Sequence, residues 1–276
     1  MPNIQALQEL KQELHISHSQ IFTYLNCSLK YQFMYVEQRP QERTSIALAF
    51  GSAIHAVVER YYQVLKDKGF LEPLGVLQEL FNDHINLDLD HTDIPIIYKK
   101  ETPDRKSVIE MGTAMLKAFY EEIDLTGFEI VAIEAPLSAI LYTDEKIATD
   151  MKLIGVIDLI LKDDKGIIVA VDNKTASKPY AQNTVDDDIQ LTCYAYLLAS
   201  NRYVFPTADV HCRLDVLRKL KTPKLEHYST TRTSETRKRF AKLANAVLAG
   251  IDARVFIPCK SWLCGDCQYI NACKSW

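Results

Sequence analysis

Three side chains have the types and spacing for metal-assisted chemistry: Asp158, Asp172 and Lys174. Asp158 lies in the apolar run 153–161, and Asp172 closes a second apolar run, 166–171. The charged tetrad Lys162-Asp163-Asp164-Lys165 separates the two runs. Ile- and Val-rich runs around such a turn read as a β-hairpin. With the turn centred near Lys165, Asp158 falls directly across from Asp172, and Lys174, two residues on, points the same way as Asp172. Two carboxylates and an ammonium then converge in apolar surroundings. Burying a carboxylate is costly, and neighbouring carboxylates raise each other's pKa. A divalent cation relieves both costs, and carboxylate oxygen suits Mg²⁺ or Mn²⁺. The plainer alternative is a surface salt bridge on a hairpin.

Other residues gain meaning beside this set. His55 and Glu59 are four apart on the helical stretch that follows Gly51-Ser52, with Ser52 as its expected N-cap. Glu134, in the strand-like run from Glu129, either faces the same site or is an edge-strand charge. Asp186-Asp187-Asp188 is expected to open a helix carrying Gln190 and Tyr194 on one face. Near the C-terminus, Cys264-x2-Cys267-x5-Cys273 is a tight thiolate cluster with Cys259 upstream. Seven cysteines without a secretion signal point to metal or iron–sulfur ligation rather than disulfides. Zinc and iron–sulfur chemistry both suit the spacing.

The elements that must position these residues follow from composition and periodicity. The chain has 276 residues, 47% hydrophobic and 25% charged, which fits a globular domain. No apolar run reaches membrane-spanning length, and the polar N-terminal stretch is unlike a secretory leader, so a cytoplasmic location is expected. The net charge of −4 excludes a bulk polycation; any nucleic-acid contact needs a local patch. One candidate runs from Arg213 to Lys242 and includes Arg218, Lys219, Lys221, Lys224, Arg232, Arg237, Lys238 and Arg239. A smaller one holds Lys99, Lys100, Arg105 and Lys106. Helical periodicity marks 4–14, 19–36 with Cys27 inside it, most of 66–128, and 234–249, and a β-ribbon is expected near 208–217.

In this order the stretches SQIFTYLNCSLKYQFMY, GSAIHAVVE, GVIDLIL, VDNKT, IQLTCYAYLL and CGDCQYINAC resemble the RecB-type branch of the PD-(D/E)XK nucleases. Within it they resemble the iron–sulfur members, such as the AddB C-terminal domain and the CRISPR-adaptation exonucleases. The resemblance implies an α/β, restriction-endonuclease-like fold: a mixed central sheet flanked by helices in one domain, 1–276. An iron–sulfur-stapled tail at 255–276 completes it, while the mostly helical stretch 66–128, which the resemblance leaves unassigned, is read from its periodicity as an insertion. It implies Mg²⁺ or Mn²⁺ held by His55, Asp158, Asp172 and the Asn173 carbonyl, with Lys174 orienting water and Gln190 and Tyr194 positioning the strand or the lysine. It implies a [4Fe–4S] cluster on Cys27, Cys264, Cys267 and Cys273. Zn²⁺ on Cys259, Cys264, Cys267 and Cys273 is the alternative. The implied activity is a DNA exonuclease, with single strands favoured, in repair, recombination or mobile-element processing. With no Walker motif in the chain, any helicase activity would come from a partner. The competing readings are a non-catalytic DNA-binding subunit of a helicase–nuclease complex and a site-specific endonuclease.

Overall fold

The computed structural model describes residues 2–143 and 147–276, with residues 2–5 by backbone alone. The chain opens with α1 (Pro2–Leu10), β1 (His15–Ser17), α2 (His18–Asn26) and α3 (Ser28–Tyr31). One π-helical turn, Gln32–Val36, follows. Next come β2 (Thr44–Ser45), α4 (Ile46–Lys68), α5 (Leu74–Asp90), β3 (Ile96–Ile97) and α6 (Arg105–Glu122). The central part runs β4 (Phe128–Tyr142), β5 (Ala148–Asp163), β6 (Ile168–Ala176), α7 (Gln182–Asp186) and α8 (Ile189–Ser200). The chain finishes with β7 (Val210–Arg218), β8 (Lys224–Arg232), α9 (Ser234–Asp252) and α10 (Ile270–Lys274). The fold is α/β, with a mixed sheet between helical layers.

The sheet is built on β5, which pairs along one edge with antiparallel β4. Its other edge takes two partners at different heights. Parallel β1 pairs with Lys152–Ile154, and antiparallel β6 pairs with Leu159–Lys162. Among the described residues, 155–158 have no strand partner on that edge, which leaves a notch. Beyond β6 the sheet continues through parallel β7 to antiparallel β8.

The hairpin turn is where the charged tetrad places it. Asp163 Oδ1 accepts from the backbone N–H groups of Lys165 and Ile167. Gly166 takes φ +81°, a conformation that costs glycine little.

Helices α4, α5 and α6 cover one face of the sheet and share one apolar core, which includes Phe50, Val57, Phe81, Ile85, Met115 and Phe119. The stretch 66–128, read from sequence as a helical insertion, contributes α5 and α6 to that core. The opposite face is covered by α8, whose residues Leu191–Ala199 are all buried. A helix apolar on every side belongs inside a fold, and α2 and α9 pack beyond it. Gly155 permits its close approach: a Cβ there would lie 2.8 Å from Leu197 Cδ1.

Several expectations need correction. The helix expected over 19–36 breaks at Cys27, whose backbone is extended (φ −164°, ψ 100°) between α2 and α3. The helix carrying His55 begins at Ile46, capped by Ser45 rather than Ser52; Gly51-Ser52 lies inside it. Tertiary packing of Ile46 and Phe50 overrides the local start signal. Asp188 alone caps α8, while Asp186 ends α7. The Arg213–Lys242 stretch is no continuous surface patch, because Arg213, Arg218, Arg232 and Arg237 are buried. Arg213 pairs with Asp215 and Arg218 with Glu226, while Arg232 and Arg237 donate to backbone carbonyls. Among the described residues no helix is long and apolar enough to cross a membrane.

Candidate active site

The notch in the β5 edge is where the acidic residues meet. Hairpin register aligns Leu159 with Val171, which puts Asp158 against Asp172 one step further. There the ladder gives way to side-chain bonding. The Asn173 backbone N–H donates to Asp158 Oδ2 at 2.8 Å. Asp172 is fully buried and Asp158 nearly so. Lys174 Nζ lies 2.8 Å from Asp172 Oδ2, an ion-pair contact outside hydrogen-bonding geometry. The same ammonium donates to Gln190 Oε1 at 2.7 Å.

Helix α8 supplies the clamp from below. Gln190 Nε2 donates to Asp172 Oδ1 at 2.7 Å and to the Tyr194 hydroxyl at 2.8 Å. The Tyr194 hydroxyl lies 3.2 Å from both Asp158 Oδ1 and Asp172 Oδ1. The i, i+4 spacing puts both side chains on the face beneath the notch. Gln190 therefore spans lysine, acid and phenol in one chain of contacts. Burial, and then the two aspartates, hold the Tyr194 phenol well above its usual pKa, so it stays a donor.

Helix α4 brings His55 from the other face, with Nδ1 3.4 Å from Asp158 Oδ2. Strand β4 brings Glu134. The β4–β5 register pairs Ile133 with Leu159 and Ala135 with Ile157, so Glu134 stands opposite Asp158. His55, Glu134 and Asp158 each offer a ligand atom within 4.8 Å of the others. Glu134 sits at φ +44°, in the left-handed region that costs a non-glycine residue about 1–3 kcal/mol. The sequence offers no signal for that backbone; of the two places it allows Glu134, beside the site or on a solvated edge, the register gives the first.

Negative charge is in surplus here. Burial, then Asp158, Glu59 and Asp172, push the Glu134 carboxyl up to about 8. Asp172 is raised by burial and by Asp158, against the opposing pull of Lys174. Burial alone would lower Lys174, but its aspartate neighbours raise it overall, so it remains an ammonium. His18 opens α2 beside the notch. Burial and the charge of Lys174 push it down to about 4, leaving a neutral imidazole at physiological pH.

A second cluster forms where the tail meets α3. Cys27, Cys267 and Cys273 pack around Leu29, Phe33 and Tyr269. The Cys273 thiol is raised by burial and then by Cys27, Cys267 and Cys264. Cys259 is exposed. The tail is tied down by Arg43, which donates to the carbonyls of Cys264, Gly265 and Cys267. Glu42 accepts from the N–H groups of Asn271 and Ala272.

A family model for the PD-(D/E)XK nuclease superfamily matches residues 15–274, nearly the whole chain and all the residues above. The chain belongs to the PD-(D/E)XK nuclease superfamily. No curated protein matches it in sequence. Among solved structures, this superfamily member resembles "Putative exonuclease" from Eubacterium rectale. That match has a TM-score of 0.58 and 12% identity, covering 97% of this chain and 90% of the other. A structure named SSO0001 aligns with a TM-score of 0.39 and 13% identity, covering 90% of this chain and 94% of the other. At such identities the first match speaks to the fold alone, and it agrees with the mixed sheet on which the superfamily member's acidic notch is built.

Proposed function

We propose that this superfamily member is a divalent-metal-dependent deoxyribonuclease that hydrolyses phosphodiester bonds from DNA ends. The carrying observation is the buried notch, where Asp158, Asp172 and Glu134 outnumber the one ammonium, Lys174. Such a surplus is costly for a pure binding module and natural for a cation site. The residues present fit Mg²⁺ or Mn²⁺. They are mostly hard oxygen donors with one imidazole, and His55, Glu134 and Asp158 are already gathered within 4.8 Å of one another. His55, Asp158, Asp172 and the Asn173 carbonyl would hold the ion, and Glu134 joins them on geometric grounds. When bound, the cation acidifies water and neutralises non-bridging phosphate oxygens.

The protein's own part is positioning. Asp172 and Gln190 hold the Lys174 ammonium, which stabilises charge developing on the phosphate and orients the attacking water. Tyr194 and Gln190 fix the facing carboxylates. The preference for ends and single strands, the setting in repair, recombination or mobile-element processing, and a helicase partner rest on the RecB-type resemblance. The test is digestion of end-labelled linear and circular DNA across Mg²⁺ and Mn²⁺ titrations. Activity on linear DNA alone supports the proposal, and uncut linear DNA at every metal concentration refutes it.

We assign a structural [4Fe–4S] cluster to Cys27, Cys264, Cys267 and Cys273. Supporting it, Cys27 breaks an otherwise continuous helix and packs with Cys267 and Cys273 around Leu29, Phe33 and Tyr269. Anaerobically purified protein should be brown with broad absorption near about 400 nm, and Cys27→Ala should bleach it. Colourless protein with stoichiometric zinc would instead support the site that uses Cys259.

A further inference from the structure

Lys219 stands at the C-terminal end of the strand beside β6, and its surroundings are unusual for a lysine. Its backbone N–H donates to the Ala176 carbonyl at 2.9 Å. Ala176 lies two residues beyond Lys174 on β6, about 7 Å at roughly 3.3 Å per strand residue. The preceding Arg218 pins this corner, donating to the carbonyls of Ala176 and Ser177 and pairing with Glu226. The main chain at Lys219 is therefore fixed at the sheet end that carries the notch.

The Lys219 side chain crosses to α4. Its ammonium lies 4.1 Å from the centre of the Phe50 ring, less than two helical turns before His55. Among the described residues no carboxylate pairs with it. A second lysine comes close instead. The β2–β3 pairing holds 95–102 against the start of α4, and this strap presents Lys99. Lys99 is close enough to press on the Lys219 ammonium, and its own carboxylate partner is Asp266 of the cysteine tail. Burial and Lys99 push Lys219 down to about 8. Two lysines far apart in sequence thus act on one another, and among the described residues only Lys99 has a carboxylate partner, Asp266. An aromatic face stabilises the second cation only partly. An anion would complete the arrangement.

We propose that Lys219, with Lys99 beside it, binds a backbone phosphate of the substrate strand next to the scissile bond. The inference rests on the nuclease reading of the notch and adds how the strand is held there. It makes Lys219 a substrate-binding residue rather than part of the cleavage machinery.

The test uses Lys219→Met, which keeps an apolar stem over Phe50 and removes the charge, and Lys219→Arg, which restores it. Lys117→Ala, on the outer surface of α6, is the control. Binding of a fluorescent single strand is followed by anisotropy in chelator across a salt series, and steady-state cleavage with Mn²⁺ is run beside it. Lys219→Met should lower the salt slope of binding by about 0.7, the share of one phosphate contact on a single strand. It should raise KM several-fold and leave kcat within about twofold. Lys219→Arg should recover the slope, and Lys117→Ala should not change it. A wild-type slope and KM in folded Lys219→Met would overturn this inference and leave the nuclease reading intact. Wild-type protein that binds DNA without cutting it would count against the nuclease reading, and the anisotropy series would still decide the role of Lys219. Strands ending in phosphate or hydroxyl should behave alike. A slope change confined to phosphorylated ends would replace the backbone contact with a terminal-phosphate site and overturn the proposal.

Discussion

Two buried charge clusters lie one strand apart in this sheet, and they are settled in opposite ways. The register pairs Asn173 of the notch with Asp215 of β7. Around Asp215 every charge has an answer. Arg213 Nε lies 2.7 Å and His227 Nδ1 2.6 Å from Asp215 Oδ1. On β8, Glu226 receives Arg218, Lys224 and Tyr228. Burial alone would raise Glu226, yet those three donors bring it to about 2. In the notch, Asp158, Asp172 and Glu134 share a single ammonium, and Glu134 rises to about 8. The same residue types serve architecture in one place and leave an unmet demand for positive charge in the other. Surplus of one sign, rather than burial itself, separates the two.

The strongest way to break this comparison is substitution on both sides. Asp172→Asn should abolish Mn²⁺ binding and cut cleavage by about a hundredfold or more. The metal-free fold should hold or gain about 1 kcal/mol, because a repelling charge is gone. Arg213→Ala should do the reverse: it takes the guanidinium from buried Asp215, leaving it His227, and should cost about 3 kcal/mol by chemical denaturation. Equal destabilisation by both substitutions would erase the distinction.

The clusters should also answer pH with opposite signs, measured as stability of metal-free protein in chelator. Glu226 is depressed in the fold, so its stabilisation is present above about pH 4.5 and is lost as pH falls towards 2. Glu134 is raised, so its contribution is present below about 4.5 and is lost as pH rises through 8. Glu226→Gln should flatten the acid limb, and Glu134→Gln the limb between about 4.5 and 8. A Glu134→Gln profile that matches wild type would remove Glu134 from the strained cluster. The smallest effect should come from Lys238→Ala, which breaks an exposed pair with Glu235 and should shift stability by no more than about 0.5 kcal/mol.

Much of the notch was legible in the sequence because its parts obey local rules. Period-two alternation and a charged turn set the hairpin register, and i, i+4 spacing put Gln190 and Tyr194 on one face. What escaped depends on long-range packing. The break at Cys27 has no Gly or Pro to announce it, and it follows from contacts with a tail more than 200 residues away. Ser45 displaced Ser52 as cap because the first turns of α4 bury Ile46 and Phe50. Four arginines read as surface charge because their partners are backbone carbonyls, Asp215 on the same strand as Arg213 and Glu226 across from Arg218, pairings that a one-dimensional charge count does not assign. For Glu134 the sequence leaves a place at the site and an edge-strand charge both open; the β4–β5 register, which sets it opposite Asp158, selects the first.

The most direct test of the central claim is single-turnover cleavage of end-labelled DNA by Lys174→Ala at saturating Mn²⁺, with Mn²⁺ affinity measured by calorimetry on the same sample. A protonated lysine cannot ligate the cation, so affinity should be kept or should rise as a neighbouring positive charge is removed. Cleavage should fall by about a hundredfold or more, with DNA binding little changed. Cleavage at the wild-type rate would mean that the notch between β1 and β6 is not the active site.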